Sequence, residues 1–205
     1  MVVFCSANVD RVVNRGRAVT DAKHSGKEAG SMGTIVGISG NFSRPSKTRR
    51  MVETIVDAAA RELNWGSQVF DLVDAGPSLG ATFGRKNAPP EIDRIWMAIE
   101  TCDALVVGSP VYKASYTGLL KHLFDVLDMN ALRERPVLVA ATAKAPSHEL
   151  MIDHQFRPLF AFFRAVVVPG SVYALDHDFG PENEPTEGLR QRIAAAVGTL
   201  VAAVR

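Results

Sequence analysis

The stretch from Gly108 to Lys121, GSPVYKASYTGLLK, carries the residue types best suited to chemistry in this chain. It follows the apolar run Ala104–Gly108 and leads into the helix-patterned segment from Leu119 to Leu127. A buried strand therefore ends in a loop of Gly, Ser and Pro, and a helix starts straight after. Pro110 has no N–H and fixes its own φ, which holds the loop extended. Ser109, Val111 and Lys113 offer backbone and side-chain polar groups, and Tyr112 adds an aromatic ring beside backbone amides. Such a loop suits a flat polar ring with hydrogen-bonding edges, such as a flavin; read alone, it is equally a plain strand-to-helix connection.

Two further loops join it. After the first apolar strand, residues 39–48 read SGNFSRPSKT. Ser39, Ser43, Ser46 and Thr48 bring hydroxyls, Asn41 an amide, and Arg44 and Lys47 positive charge. The segment runs into a helix, whose N-terminal N–H groups and partial positive charge receive phosphate well. Hydroxyl donors and an arginine fork complete a site for a phosphomonoester. Read alone, the segment is equally a Ser/Thr helix cap with a solvated charged flank. The pattern is neither G-x-x-x-x-G-K-[ST] nor G-x-G-x-x-G. The third loop, Thr142-Ala143-Lys144-Ala145-Pro146-Ser147-His148, follows the fourth apolar strand.

The elements that must position these loops alternate. Strands are expected at Thr34–Ser39, Val69–Val73, Asp103–Gly108, Pro136–Thr142 and Ala165–Val168, the last resuming at Ser171–Leu175. Helices are expected at Lys47–Asn64, Glu91–Thr101, Thr117–Asp128, His148–Arg164 and Glu187–Arg205, with a long loop from Asp74 to Pro90. Strand-helix alternation at this spacing predicts a parallel sheet with helices on both faces. Right-handed crossovers then favour the order 2-1-3-4-5: a flavodoxin-like, doubly wound, five-stranded parallel sheet in three αβα layers. Strands 1, 3 and 4 are neighbours in that order, so the three loops converge on one crevice beyond the strand carboxyl ends.

Composition bounds the reading. The 205 residues suit one domain or one domain plus an appendage, and a net charge of +1 gives no reason to expect nucleic acid or a membrane surface as partner. The two cysteines, Cys5 and Cys102, make neither a disulfide framework nor a metal site, and Cys102 reads as an inert buried thiol. Residues 1–31 lack periodicity and are expected to be a disordered extension ahead of a folded domain over residues 32–205. A cytoplasmic location is the expectation.

Together these segments resemble the NAD(P)H-dependent FMN reductases of flavodoxin-like fold. GSPVYKASYTGLLK is similar to the flavin-ring loop of that family, residues 41–48 to its FMN-phosphate loop, and residues 154–160 (HQFRPLF) to its helix after the fourth strand. The similarity covers about residues 34–175 and is closest to the branch that serves alkanesulfonate, methanesulfonate and dimethyl sulfone monooxygenases. Family members commonly carry Gly-Gly where this chain has Ala143-Lys144. The resemblance implies FMN as the flavin and NADPH or NADH as reductant. Free flavin and pyridine nucleotide would be its small-molecule partners, and a flavin-dependent monooxygenase would take the reduced FMN. The cofactor site it implies comprises Ser39, Asn41, Arg44, Ser46, Lys47, Thr48, Ser109, Pro110, Val111, Tyr112, Lys113, Thr142, Ala143, Lys144 and His148.

Hydride transfer between stacked rings requires no catalytic acid, base or nucleophile from the protein. His122, His148 and His154 therefore receive no proton-transfer role, and no metal site is expected. The resemblance also implies a homotetramer, a dimer of dimers, with a π-turn at His154 in the helix interrupted by Pro158. The apolar residues Met151, Ile152, Phe156, Leu159, Phe160, Phe162 and Phe163 would exceed what one helix face needs. Two other readings share the fold: a flavoenzyme reducing quinones, azo dyes or metal oxyanions, and a flavodoxin-type electron carrier. Near-neutral charge and the cations Lys113 and Lys144 argue against the carrier, which usually surrounds its flavin with acidic surface.

Overall fold

In the computed structural model, residues 32–205 are described; the expected extension over residues 1–31 lies outside the described residues. Five strands form one sheet: β1 (Thr34–Ser39), β2 (Gly66–Asp71), β3 (Ala104–Pro110), β4 (Pro136–Ala143) and β5 (Val166–Leu175). Their order is β2-β1-β3-β4-β5 and every pairing is parallel, the flavodoxin-like arrangement expected from the alternation. Six helices accompany them: α1 (Lys47–Leu63), α2 (Leu72–Ala75), α3 (Pro90–Thr101), α4 (Gly118–Asp125), α5 (Arg157–Phe162) and α6 (Glu187–Val204).

Alternation along each strand builds two cores, because successive side chains leave opposite faces of a sheet. Val36, Ile38, Leu105, Val107, Val137 and Val139 pack with Ile92, Ile95, Trp96 and Ile99 of α3 and with Leu120, Leu123 and Phe124 of α4. Ile35, Ala104, Val106, Leu138 and Ala140 pack with Met51, Val52, Ile55 and Val56 of α1 and with Ile193, Val197 and Leu200 of α6. Full burial of each large aliphatic side chain stabilises by about 1.5–3 kcal/mol. Trp96 also donates its indole N–H to the Leu123 carbonyl at 2.8 Å, tying α3 to α4. Close approach of α1 requires a glycine beneath it: a Cβ on Gly108 would stand 2.5 Å from Cγ2 of Val52.

Several expected boundaries move. β2 is Gly66–Asp71 rather than Val69–Val73, because it is the edge strand and opens on the exposed residues Gly66, Ser67 and Gln68. Leu72 and Val73 instead enter α2, whose capping box pairs the Asp71 side chain with the Asp74 amide and the Asp74 side chain with the Asp71 amide. The long loop expected from Asp74 to Pro90 holds two 3-10 turns, Pro77–Ala81 and Arg85–Asn87. α4 is shorter than expected and ends at Asp125. β5 runs unbroken through Pro169 and Gly170, which fall in a register shift between the pairs Val137–Val167 and Val139–Ser171 with β4.

The single helix expected from His148 to Arg164 is three pieces. Pro146–His148 is a 3-10 turn, Ile152–Phe156 is π-helical with His154 at its centre, and α5 follows with Pro158 in its first turn. A proline cannot donate to the ladder, and placing it in the first turn of a new segment removes that cost. The apolar surplus on this segment is smaller than expected. Met151, Ile152, Phe156, Leu159, Phe160 and Phe163 are buried in the chain's own core, and only Phe162 is exposed. Cys102 is buried, and burial pushes its thiol up to about 12. No helix among the described residues is long and apolar enough to cross a membrane.

Candidate active site

The carboxyl ends of β1, β3 and β4 meet at one edge of the sheet, and buried polar groups lock their loops together. The Gly40 amide donates to the Gly108 carbonyl at 2.8 Å, joining the β1 loop to β3. Thr117, just before α4, donates its hydroxyl to the Gly40 carbonyl at 2.9 Å, and its amide donates to Ser109 Oγ at 3.1 Å. The Val111 amide donates to the Thr142 carbonyl at 2.8 Å, joining the β3 loop to β4. The hydroxyls of Thr48 and Thr142 lie 2.6 Å apart. Ser39, Asn41, Thr48, Ser109, Thr117 and Thr142 are all buried, so these bonds are made away from water, where an unmade one is costly.

The β3 loop turns back on itself. Tyr112 and Ser115 exchange backbone hydrogen bonds at 2.9 and 3.1 Å across Lys113 and Ala114, which have φ of 51° and 63°. Positive φ at both central residues is the pattern of a type I′ turn. The expected row of free amides is thereby moved along the loop. The Val111 and Tyr112 N–H groups are taken, whereas those of Lys113 and Ala114 make no hydrogen bond among the described residues. The Tyr112 ring is exposed and meets Phe42 of the β1 loop at 5.7 Å between centroids.

In the β1 loop, Ser46 caps α1, its hydroxyl accepting from the Arg49 amide at 3.3 Å. The amides of Lys47 and Thr48 stand ahead of the helical ladder. Asn41 accepts from the Ser39 hydroxyl at 2.6 Å and donates to the Ser43 carbonyl at 2.9 Å and to Asp71 at 3.0 Å. Arg44 lies against acids: Nε donates to Asp71 Oδ2 at 2.8 Å, and Nη2 reaches Asp71 Oδ1 at 2.7 Å and Asp74 Oδ1 at 2.6 Å. Arg49 also contacts Asp71 and Asp74, at 2.9 and 3.0 Å. Burial works against ionisation of Asp71, but hydrogen bonds from Arg44, Arg49 and Asn41 together outweigh it and hold the carboxyl well below the usual carboxylate range. The hydrogen bonds that Arg44 donates to Asp71 and Asp74 raise its own pKa in turn.

Beside these loops lies a cleft of about 590 Å³, lined by Lys47, Pro110–Lys113, Thr142–Ala145, His148, Leu175, Asp176 and Phe179. Of the residues singled out in the sequence, Lys47, Pro110, Val111, Tyr112, Lys113, Thr142, Ala143, Lys144 and His148 line it. Ser39, Asn41, Thr48 and Ser109 lie beneath, in the buried bonds that shape the loops, while Arg44 and Ser46 lie on the α1 side. Sequence reasoning missed the far wall. Leu175, Asp176 and Phe179 follow β5, where Asp176 pairs with Lys47 at 2.9 Å and the Lys47 ammonium stands 5.8 Å from the Phe179 ring. Nor does the sequence single out Asp71, which lies inside the apolar run expected as the second strand.

The profile described as NADPH-dependent FMN reductase matches residues 34–180. The chain belongs to that family. Among its relatives, the FMN reductase (NADPH) of Pseudomonas aeruginosa is 44% identical over 162 residues, 79% of this chain and 87% of that one. The NADH-dependent FMN reductase SfnF of Pseudomonas fluorescens is also 44% identical, over the same shares. A solved oxidoreductase from Corynebacterium diphtheriae is 38% identical, with a TM-score of 0.73, covering 84% of this chain and 97% of that one. As a member of the family, the chain is an NAD(P)H:FMN oxidoreductase, with FMN as flavin and NADPH or NADH as reductant.

The residues present fit FMN. The cleft volume is in the range of cofactor sites, about 300–1,000 Å³. Val111, Leu175 and Phe179 give it apolar wall, free amides at Lys113 and Ala114 offer ring contacts, and the capped N-terminus of α1 opens beside it. Lys144 adds an exposed cation to the rim.

Proposed function

We propose that this FMN reductase binds flavin in the cleft at the ends of β1, β3 and β4 and passes reduced FMN to a flavin-dependent monooxygenase, in organosulfur metabolism. The observation that carries the reading is the junction of three loops on one cleft, in a chain of this family. The resemblance to the branch that serves alkanesulfonate, methanesulfonate and dimethyl sulfone monooxygenases supports the organosulfur setting, and the relatives named NADH-dependent FMN reductase SfnF support FMN as acceptor.

FMN bound here would supply the hydride-accepting position, N5, for the nicotinamide. The protein's part is to align the reactants. The β1 loop and the start of α1, through Arg44, Ser46, Lys47 and Thr48, receive the phosphate. The loop Ser109–Lys113 frames the ring on one side, and Thr142–Lys144 with His148 frame the other. Lys113 and Lys144 stand exposed on the rim with no ion pair among the described residues, which suits a second phosphorylated ligand, the pyridine nucleotide. No side chain has to move a proton.

A homotetramer, a dimer of dimers meeting around the His154 region, is part of this reading. Its support is a second groove of about 510 Å³ beside the π-helical turn, lined by Tyr116, Phe124, Met129, His154, Pro158 and Phe162. Phe162 and Met129 are 64% and 61% exposed there and give the groove an apolar rim. A cytoplasmic location, where reduced pyridine nucleotides are maintained, completes it. Light scattering coupled to size exclusion tests the assembly, and a mass near one chain contradicts it. The acceptor is tested by comparing rates with free FMN, a quinone and an azo dye. FMN is expected to be fastest, and a quinone or azo dye outrunning it would overturn the reading.

A further inference from the structure

Asp71 stands out among the groups that the hydride transfer does not use. Its side chain is fully buried. An isolated carboxylate in that position would be very costly, so its partners matter. Oδ2 accepts from Asn41 Nδ2 at 3.0 Å and Arg44 Nε at 2.8 Å and contacts Arg49 Nη1 at 2.9 Å. Oδ1 accepts from Arg44 Nη2 at 2.7 Å and from the amides of Val73 and Asp74 at 3.0 and 3.1 Å. Asp74, 23% exposed, adds its contact to Arg44 Nη2 at 2.6 Å.

Two features of this cluster bear on the flavin phosphate. Both residues that Asp71 takes from the β1 loop, Asn41 and Arg44, belong to the segment read as the phosphate loop. The acids also occupy one edge of the Arg44 guanidinium, Nε and Nη2, and leave Nη1 without a protein partner among the described residues. A guanidinium presents its donors in a fixed planar fork, so fixing one edge fixes the other. Arg44 is 41% exposed, and a long side chain in that setting would otherwise sample many rotamers.

We propose that Asp71 is a positioning residue for flavin phosphate: it clamps Arg44 by one edge so that Nη1 is preset for the phosphate oxygens. The proposal rests on the reading of the β1 loop as the phosphate site. Its signature is selectivity between FMN and riboflavin, which share the reacting ring and differ in the phosphate. A residue that only holds the fold together affects both flavins alike.

The test measures kcat and KM for FMN and for riboflavin in the wild type, Arg44→Ala, Asp71→Asn and the double variant, with a thermal melt for each. The expected result is that Arg44→Ala lowers the FMN-to-riboflavin ratio of kcat/KM by roughly tenfold. Asp71→Asn is expected to reproduce most of that loss, through the KM for FMN, and to add almost nothing in the Arg44→Ala background. A ratio that is kept in Asp71→Asn, or a double variant in which the two losses simply multiply, overturns the clamp while leaving the phosphate site standing. A ratio that is kept in Arg44→Ala overturns the phosphate reading itself. Should Asp71→Asn not fold, Arg44→Lys keeps the charge but loses the planar fork that Asp71 holds, and a loss of the same ratio close to that of Arg44→Ala is expected; a ratio kept there overturns the clamp.

Discussion

The hydroxyls of Thr48 and Thr142 lie 2.6 Å apart, both buried, and join the first turn of α1 to the end of β4. Two loops that are far apart in the chain thus share one hydrogen bond beneath the cleft. Thr48→Val leaves the Thr142 hydroxyl without this partner and is expected to cost about 1–3 kcal/mol. Replacing both by Val removes the two polar groups together and should restore much of that loss. Urea unfolding of the two single variants and the double variant gives the coupling directly.

Tyr112 is exposed and rests on Phe42 rather than in the core. Tyr112→Ala should therefore change stability by under about 1 kcal/mol, as surface substitutions usually do. Turnover should fall, and the absorbance of bound flavin should shift, because a wall of the cleft is lost. Tyr112→Phe keeps the wall and should keep the activity. Flavin titration beside a thermal melt separates the two effects.

Lys113 and Lys144 line the cleft and make no ion pair among the described residues, whereas Lys47 is paired with Asp176. Replacing both by Ala should raise KM for the pyridine nucleotide more than for riboflavin. Interactions of exposed charges weaken with salt, so the gap between wild type and variant should narrow as ionic strength rises. Steady-state rates across a salt series measure it.

Acid should expose the Asp71 cluster. The folded carboxyl is held below its unfolded value, so the stability it contributes is fully present above about pH 3.9 and is lost as pH falls towards the folded value. The stability gap between wild type and Asp71→Asn is therefore expected to be flat from neutral pH to about pH 5 and to shrink below about pH 4. Denaturant midpoints at stepped pH record the gap.

Much of this architecture could be read from the chain. β1, β3 and β4 are short apolar runs buried on both faces, and helical patterns separate them, so the strand order followed from the alternation. The glycine, proline and hydroxyl residues that end those strands marked the loops around the cleft. β2 was misplaced because an edge strand opening on Gly66, Ser67 and Gln68 carries little apolar signal. Asp71 escapes a reading of the sequence for a different reason: its role depends on Arg44 and Arg49, which reach it from another part of the chain. The wall formed by Leu175, Asp176 and Phe179 was missed because it carries no motif of its own and joins the cleft only through the fold. Pro158 marked an irregular helix, but how far α5 shrinks is decided by the π-helical turn before it.

The central claim is that this cleft serves hydride transfer from reduced pyridine nucleotide to FMN. An anaerobic mixture of the purified protein with excess FMN and either NADPH or NADH tests it most directly, by following bleaching of the flavin absorbance. The account predicts many FMN molecules reduced per chain, one nucleotide consumed for each, and loss of that rate in Tyr112→Ala. Bleaching no faster than in the absence of protein, with both nucleotides, would contradict it.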